Sequence, residues 1–195
     1  MSYRIEEKIS VTNYDSIKFI KFLKSKGLKK IYDDRLINSI YFDNVNLSMF
    51  YHSEEGVRPR QKIRIRTYNN QKKYYLENKI SADEGRYKTS KHINNIKYSK
   101  YLKNGFFSNL YGICYPLVIV NYKRSYFELN NVRITYDYNI SYINFIKLNN
   151  RFTEPKRVFE IKCSKLSDAI EINNLLGPKN RFSKYSESII KLNIN

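Results

Sequence analysis

Arg60 to Tyr68 read RQKIRIRTY, with a cation at every second residue: Arg60, Lys62, Arg64 and Arg66. Alternate side chains of a β-strand point to one face, so these charges crowd together while Gln61, Ile63, Ile65 and Thr67 take the other side. Like charges held that close repel each other. Arginine forks and lysine ammonium groups are also the donors that suit phosphate oxygens, so the pattern calls for an anionic ligand. The triplet Glu-x-Lys supplies acids three times: Glu6 with Lys8, Glu77 with Lys79, and Glu160 with Lys162. In each, acid and base share a strand face and the opposite face is largely apolar. Arg124 shares a face with Tyr122 and Tyr126, and Arg133 shares one with Thr135 and Asp137. An antiparallel sheet with one wet face also alternates in this way, with Glu–Lys pairs as surface complementarity. The preference for arginine, and its recurrence in strand after strand, weigh against that reading. If the charged faces turn inward, the lumen must be wet and must hold a highly charged anion, because unpaired buried charge is costly. Phosphate chains meet this demand. The carboxylates do not bind phosphate directly, but they can hold Mg²⁺ or Mn²⁺, which bridges to phosphate oxygens.

The composition agrees with an anionic partner. The chain has 195 residues, 36 Lys plus Arg against 18 Asp plus Glu, and a formal net charge of +18. Such an imbalance predicts nucleic acid, a phosphate-rich ligand or an anionic membrane. Hydrophobic content of 42% excludes a disordered chain, and no Pro/Gly/Ser-rich linker divides residues 1–195, so one domain is expected. The 19 Tyr and 11 Phe could stack on nucleic acid, but most fall on apolar faces, where core packing explains them. Cys114 and Cys163 are too few for a disulfide framework, and His52 and His92 stand at no metal-ligand spacing from them, so buried free thiols are expected. The charged start MSYRIEEKIS is not a signal peptide, and the apolar run from Ile113 to Val120 is short and contains Pro116, so a cytoplasmic protein is expected.

The elements that must position these charges are mostly strands. Alternation predicts strands at Tyr3–Val11, Ser39–Asp43, Arg60–Tyr68, Lys73–Ile80, Arg86–Ser90, Leu117–Leu129, Val132–Ile140 and Arg157–Cys163, with a tight hairpin at Asn130-Asn131. Helical patterns cover Asp15–Lys26, Ser90–Asn104 and Ser167–Leu176, each followed by glycine. Long antiparallel strands with a few helices predict an α+β barrel or strongly curved sheet, helices outside.

Taken in order, the motifs resemble a VTC domain, a branch of the triphosphate tunnel metalloenzymes. The resemblance rests on Arg4, Glu6 and Lys8; Tyr41–Asp43; Arg60, Lys62, Arg64, Arg66 and Tyr68; Leu76, Glu77 and Lys79; Tyr122 and Arg124; Arg133–Asp137; Phe159–Lys162; and Phe182–Tyr185. It implies a closed eight-stranded antiparallel tunnel barrel and a metal-dependent polyphosphate polymerase, an ATP–polyphosphate phosphotransferase. Carried over, Lys62, Arg64 and Arg66 line the tunnel floor with Lys8 and Lys79. Arg124 and Arg133 hold phosphates, Tyr122 and Lys162 join the substrate-binding set, and Glu160 is the principal metal ligand with Glu6 as helper. Ser183 and Lys184 meet the phosphate chain from a helix start, and Lys88 is a further tunnel lysine. The implied cofactor is Mn²⁺ or Mg²⁺. The implied partners are ATP or another nucleoside triphosphate and polyphosphate or pyrophosphate, with nucleic acid disfavoured. The alternatives are a tunnel triphosphatase and a non-catalytic polyphosphate or nucleic-acid binding module. Fewer tunnel carboxylates than in triphosphatase relatives favour the transferase. With no SPX-like domain before the motifs and no membrane span after them, soluble bacterial-type members are the closer comparison.

Overall fold

The computed structural model describes residues 5–163 and 182–194. In chain order these form β1 (Ile5–Val11), α1 (Asn13–Ser25), β2 (Lys29–Asp43), α2 (Ser48–Glu55), β3 (Arg60–Tyr68), β4 (Tyr74–Ala82), β5 (Gly85–Ile93), α3 (Asn95–Asn104), β6 (Phe106–Ser108), β7 (Gly112–Leu129), β8 (Val132–Asn144), β9 (Arg151–Thr153), β10 (Arg157–Cys163) and α4 (Lys184–Lys191). The architecture is α+β and dominated by antiparallel strands, as expected. The contacts group into two compact units, residues 1–36, 122–140 and 153–182 in the first, and 37–121, 141–152 and 183–195 in the second. Strands β2, β7 and β8 are long enough to run through both.

In the first unit β1 pairs with β10 and β10 with β8, both antiparallel. The apolar alternates of these strands make its core: Ile9, Phe127, Leu129, Val132, Ile134, Phe159, Ile161 and Cys163, covered by Phe19 and Leu23 of α1. Helix α1 starts where Thr12 accepts from the backbone N–H of Asp15 at 3.1 Å. Its spacing of Phe19 and Leu23 puts both on one face, and the Phe19 ring meets Phe159 edge-on at 4.9 Å. The turn at Asn130-Asn131 forms as expected, with φ of 48° and 63°, values that Asn tolerates well.

In the second unit the order is β2-β3-β4-β5. Ile63 and Ile65 are buried, which is the face opposite the cations of β3. Helix α2 was not foreseen. Its N-cap residue, Leu47, offers no side-chain cap. Asp43, at the end of β2, caps instead by accepting from the N–H groups of Met49 and Phe50, both at 3.0 Å. A cap from outside the helix leaves no local signature.

Several boundaries differ from expectation. The predicted helix Ser90–Asn104 divides: β5 continues to Ile93, and α3 begins only after Asn94, whose side chain accepts from the N–H of Lys97 at 2.9 Å. Strand β2 begins at Lys29, because exposed strand residues do not alternate by polarity. The short strands β6 and β9 were not foreseen. The predicted helix Ser167–Leu176 lies outside the described residues, as does Arg4. The expected closed eight-stranded barrel is also corrected. Among the described residues β1 pairs only with β10 and β5 only with β4, so each unit holds an open antiparallel sheet. Strand β5 shows why. Arg86 to His92 are exposed on both faces and include Lys88 and Lys91, charges that blunt an edge against further pairing.

Candidate functional site

Each unit carries one charged face.

In the second unit, register sets the charges of β3, β4 and β5 in rows. Arg64 lies opposite Glu77, and Lys62 opposite Lys79, which in turn lies opposite Lys88. Glu77, only 4% exposed, gathers the cations. Arg64 reaches it through Nε at 2.7 Å and Nη2 at 2.6 Å, Arg66 through Nη1 at 3.5 Å and Lys88 through Nζ at 2.8 Å. Burial alone would raise the Glu77 carboxyl, but the Arg64 and Arg66 charges outweigh it and hold the pKa at about 2. The other arm of Arg64 donates to the Tyr41 hydroxyl at 2.8 Å. Burial opposes ionisation of that phenol too, yet the Arg64 and Arg66 charges, with Lys184 helping, bring it down to about 8. The Tyr41 ring stacks on Tyr185 at 5.3 Å, and Tyr185 donates to Asp43. Lys62 donates to the Ser183 hydroxyl at 3.0 Å. Ser183 is the N-cap of α4 and accepts from the Ser186 N–H at 3.3 Å. Lys62, Arg64, Arg66, Lys79, Lys88, Ser183 and Lys184 thus all belong to this unit.

In the first unit, Lys8 lies opposite Glu160 and Glu160 opposite Thr135, while Glu6, Lys162 and Arg133 form the adjacent row. Arg124 forks onto Asp137, Nε to Oδ1 at 2.5 Å and Nη2 to Oδ2 at 2.7 Å. The same Nη2 stands 3.7 Å from Glu160, and the guanidinium lies 5.4 Å from the centre of the Tyr122 ring. Lys162 bonds Glu160 at 2.7 Å and stands 3.9 Å from Glu6, which also faces Lys8 at 3.6 Å. Burial would raise the Glu160 carboxyl, but Lys8, Arg124 and Lys162 outweigh it and hold it well below the usual range. Glu160 is therefore a carboxylate at any physiological pH. Arg133 is exposed beside this group. Among the described residues no group of three His, Cys, Asp or Glu side chains gathers as a metal cage.

The remaining expectations are simpler. Cys114 and Cys163 are buried free thiols, and burial, helped by Asp43, pushes Cys114 up to about 12. His52 contacts the Tyr111 hydroxyl at 3.1 Å, and His92 lies against Tyr75, in the register row of Arg66. Among the described residues no helix is long and apolar enough to cross a membrane.

The comparisons with known proteins fit these strands. The VTC domain model matches residues 2–193. No curated protein matches the sequence. Among solved structures, a candidate adenylate cyclase from Bacillus halodurans aligns at a TM-score of 0.61 with 12% identity, covering 100% of this chain and 93% of its own. A candidate adenylyl cyclase from Hippeastrum, described as having a dominant triphosphatase activity, aligns at 0.61 with 13% identity and 95% coverage of both chains. A Pyrococcus horikoshii protein aligns at 0.57 with 18% identity, covering 97% and 99%. At these identities the likeness is one of fold. The chain belongs to the VTC domain family.

Three motif residues take roles that the sequence left unassigned. Glu77 and Asp137 act as counterions that hold arginines, and Tyr41 is an oxygen bonded to Arg64. Each shares a strand face or a register row with a cation already singled out, and that was the available signal.

Proposed function

We propose that residues 1–195 form one VTC-like domain, a metal-dependent polyphosphate polymerase that transfers the terminal phosphoryl group of ATP to a polyphosphate chain. One observation carries the reading: two of the buried carboxylates, Glu77 and Asp137, are committed to arginines, so the charged faces present chiefly cations. Phosphoryl transfer needs positioned positive charge around the transferring group and little covalent help. Lys62, Arg64, Arg66 and Arg124 supply that charge. Lys8, Lys79, Lys88, Arg133, Lys162, Ser183 and Lys184 bind neighbouring phosphates, and Tyr122 supports Arg124 from its ring face. Arg64 and Arg124 arrive already oriented, because a carboxylate fixes each guanidinium before substrate binds.

The carboxylates also suit a divalent cation. Mg²⁺ and Mn²⁺ prefer hard oxygen donors, and Mg²⁺ is commonly held by one or two carboxylates completed by substrate phosphates and water. Glu160, ionised throughout the physiological range, would be the principal ligand and Glu6 the second. The metal would supply charge neutralisation on phosphate oxygens. A cytoplasmic location belongs to the same proposal.

A triphosphatase is the second reading, favoured by the activity described for the Hippeastrum protein of the same fold. One incubation separates them. Purified protein with ATP and Mn²⁺ is expected to make a phosphate polymer, read on a gel, with stoichiometric ADP. Orthophosphate released from ATP or tripolyphosphate without polymer selects the hydrolase, and no turnover with either rejects both.

A further inference from the structure

Thr135 sits in the middle of β8 with its Oγ1 buried and, among the described residues, without a hydrogen-bond partner. The residue is 4% exposed. Alternation explains its direction. Val132 and Ile134 enter the apolar core, so Arg133, Thr135 and Asp137 take the charged face. Directly across the ladder stands Glu160, and beyond it Lys8.

The carboxylates on the same face are engaged by cations. Both Asp137 oxygens take the fork of Arg124. Glu160 Oε1 takes Lys162 at 2.7 Å, and its Oε2 faces Arg124 at 3.7 Å. Among the described residues no group takes the hydroxyl proton. A buried hydroxyl left in this state destabilises the fold, and valine would fill the same volume at a β-strand position without that cost. A phosphate drawn in by Lys8, Arg124 and Lys162 would bring the missing acceptor.

We infer that the Thr135 hydroxyl is a substrate-binding group, donating a hydrogen bond to a phosphate oxygen of the bound phosphate chain. The inference rests on the phosphate-binding reading above and adds to it a neutral donor among cations. Such a donor makes a directional bond, where the ammonium groups of Lys8 and Lys162 act as point charges.

The test is the isosteric change Thr135→Val, with tripolyphosphate as probe in calorimetric titration and thermal melting without metal. The variant is expected to melt no lower than wild type, because it removes an orphaned polar group. It is also expected to bind tripolyphosphate about tenfold more weakly, one charge-assisted hydrogen bond's worth, and Thr135→Ser is expected to recover most of the affinity. Binding within about twofold of wild type overturns the inference and leaves threonine as a plain strand former. A clear fall in melting temperature also overturns it, since the hydroxyl would then have had a partner such as a buried water. If the valine variant does not fold, Thr135→Ser is compared with Thr135→Ala: a serine-specific recovery supports the inference and equal affinities overturn it. Should wild type itself take up no tripolyphosphate, the phosphate-binding reading falls and this inference with it, whereas equal binding by wild type and valine removes the inference alone.

Discussion

Glu77 holds Arg64, Arg66 and Lys88 at once, and it is buried while doing so. Removing one member of a buried charge group costs more than the group contributes, because the others stay desolvated and unpaired. Glu77→Gln is therefore expected to lose about 3 kcal/mol of stability, a fall of roughly 6–12 °C for a chain of this size. Tripolyphosphate should restore more of that loss in the variant than it adds to wild type, since an anion can take the vacated place of the carboxylate. A variant that melts with wild type would remove Glu77 from this role. The same carboxylate sets an acid limit. Its folded pKa of about 2 lies below the ordinary 4.5, so between those values the unfolded chain binds the extra proton. Its contribution is complete above about pH 4.5 and is lost as pH falls toward about 2, which acid melts of wild type and Glu77→Gln would resolve. Sequence made the cations of β3 legible, because a period of two needs only one strand. It did not make Glu77 legible as their counterion, because that depends on the β3–β4 register placing Arg64 opposite it.

Helix α4 and strand β3 meet through Lys62 and Ser183, and Ser183 is at once the cap of α4 and the acceptor for Lys62. Cap and ligand-binding roles can be separated by a matched pair of changes. Thr12→Ala removes the cap of α1, and Ser183→Ala the cap of α4. Each is expected to cost about 1 kcal/mol of stability. Only Ser183→Ala is expected to weaken ATP binding, by a few-fold in titration. Equal affinity in the two variants would make Ser183 a cap alone. At this scale the legible features with a local signal were the alternation of β3 and β10 and the hairpin at Asn130-Asn131, while the Ser183 start of α4 came only with the family resemblance. Helix α2 was hidden because Asp43 caps it from a strand. The join between β5 and α3 was hidden because the alternation read over Arg86 to Ser90 lapses at Lys91 and His92, both polar and exposed. The closed ring expected from the family resemblance failed at the same strand, whose edge is charged rather than apolar.

The molecule as a whole carries a net charge of +18, and general basicity alone would attract any polyanion. The account says something narrower: particular cations, set in place by their carboxylates, hold phosphate. Membership of the VTC family was legible because its motifs are read strand by strand in chain order. The counterion roles of Glu77 and Asp137 were not, because they exist only once strands pair. The measurement that tests the claim most directly is tripolyphosphate affinity at fixed, moderate salt for wild type and for Arg64→Ala, Arg124→Ala and Lys30→Ala. Lys30 is an exposed residue paired with Asp34 and is not among the cations assigned to phosphate. The account expects each arginine variant to bind at least about tenfold more weakly and the lysine variant to stay within about twofold. If all three lose affinity equally, or the arginine variants bind as wild type does, the charge is a diffuse coat and the phosphate-binding account is contradicted.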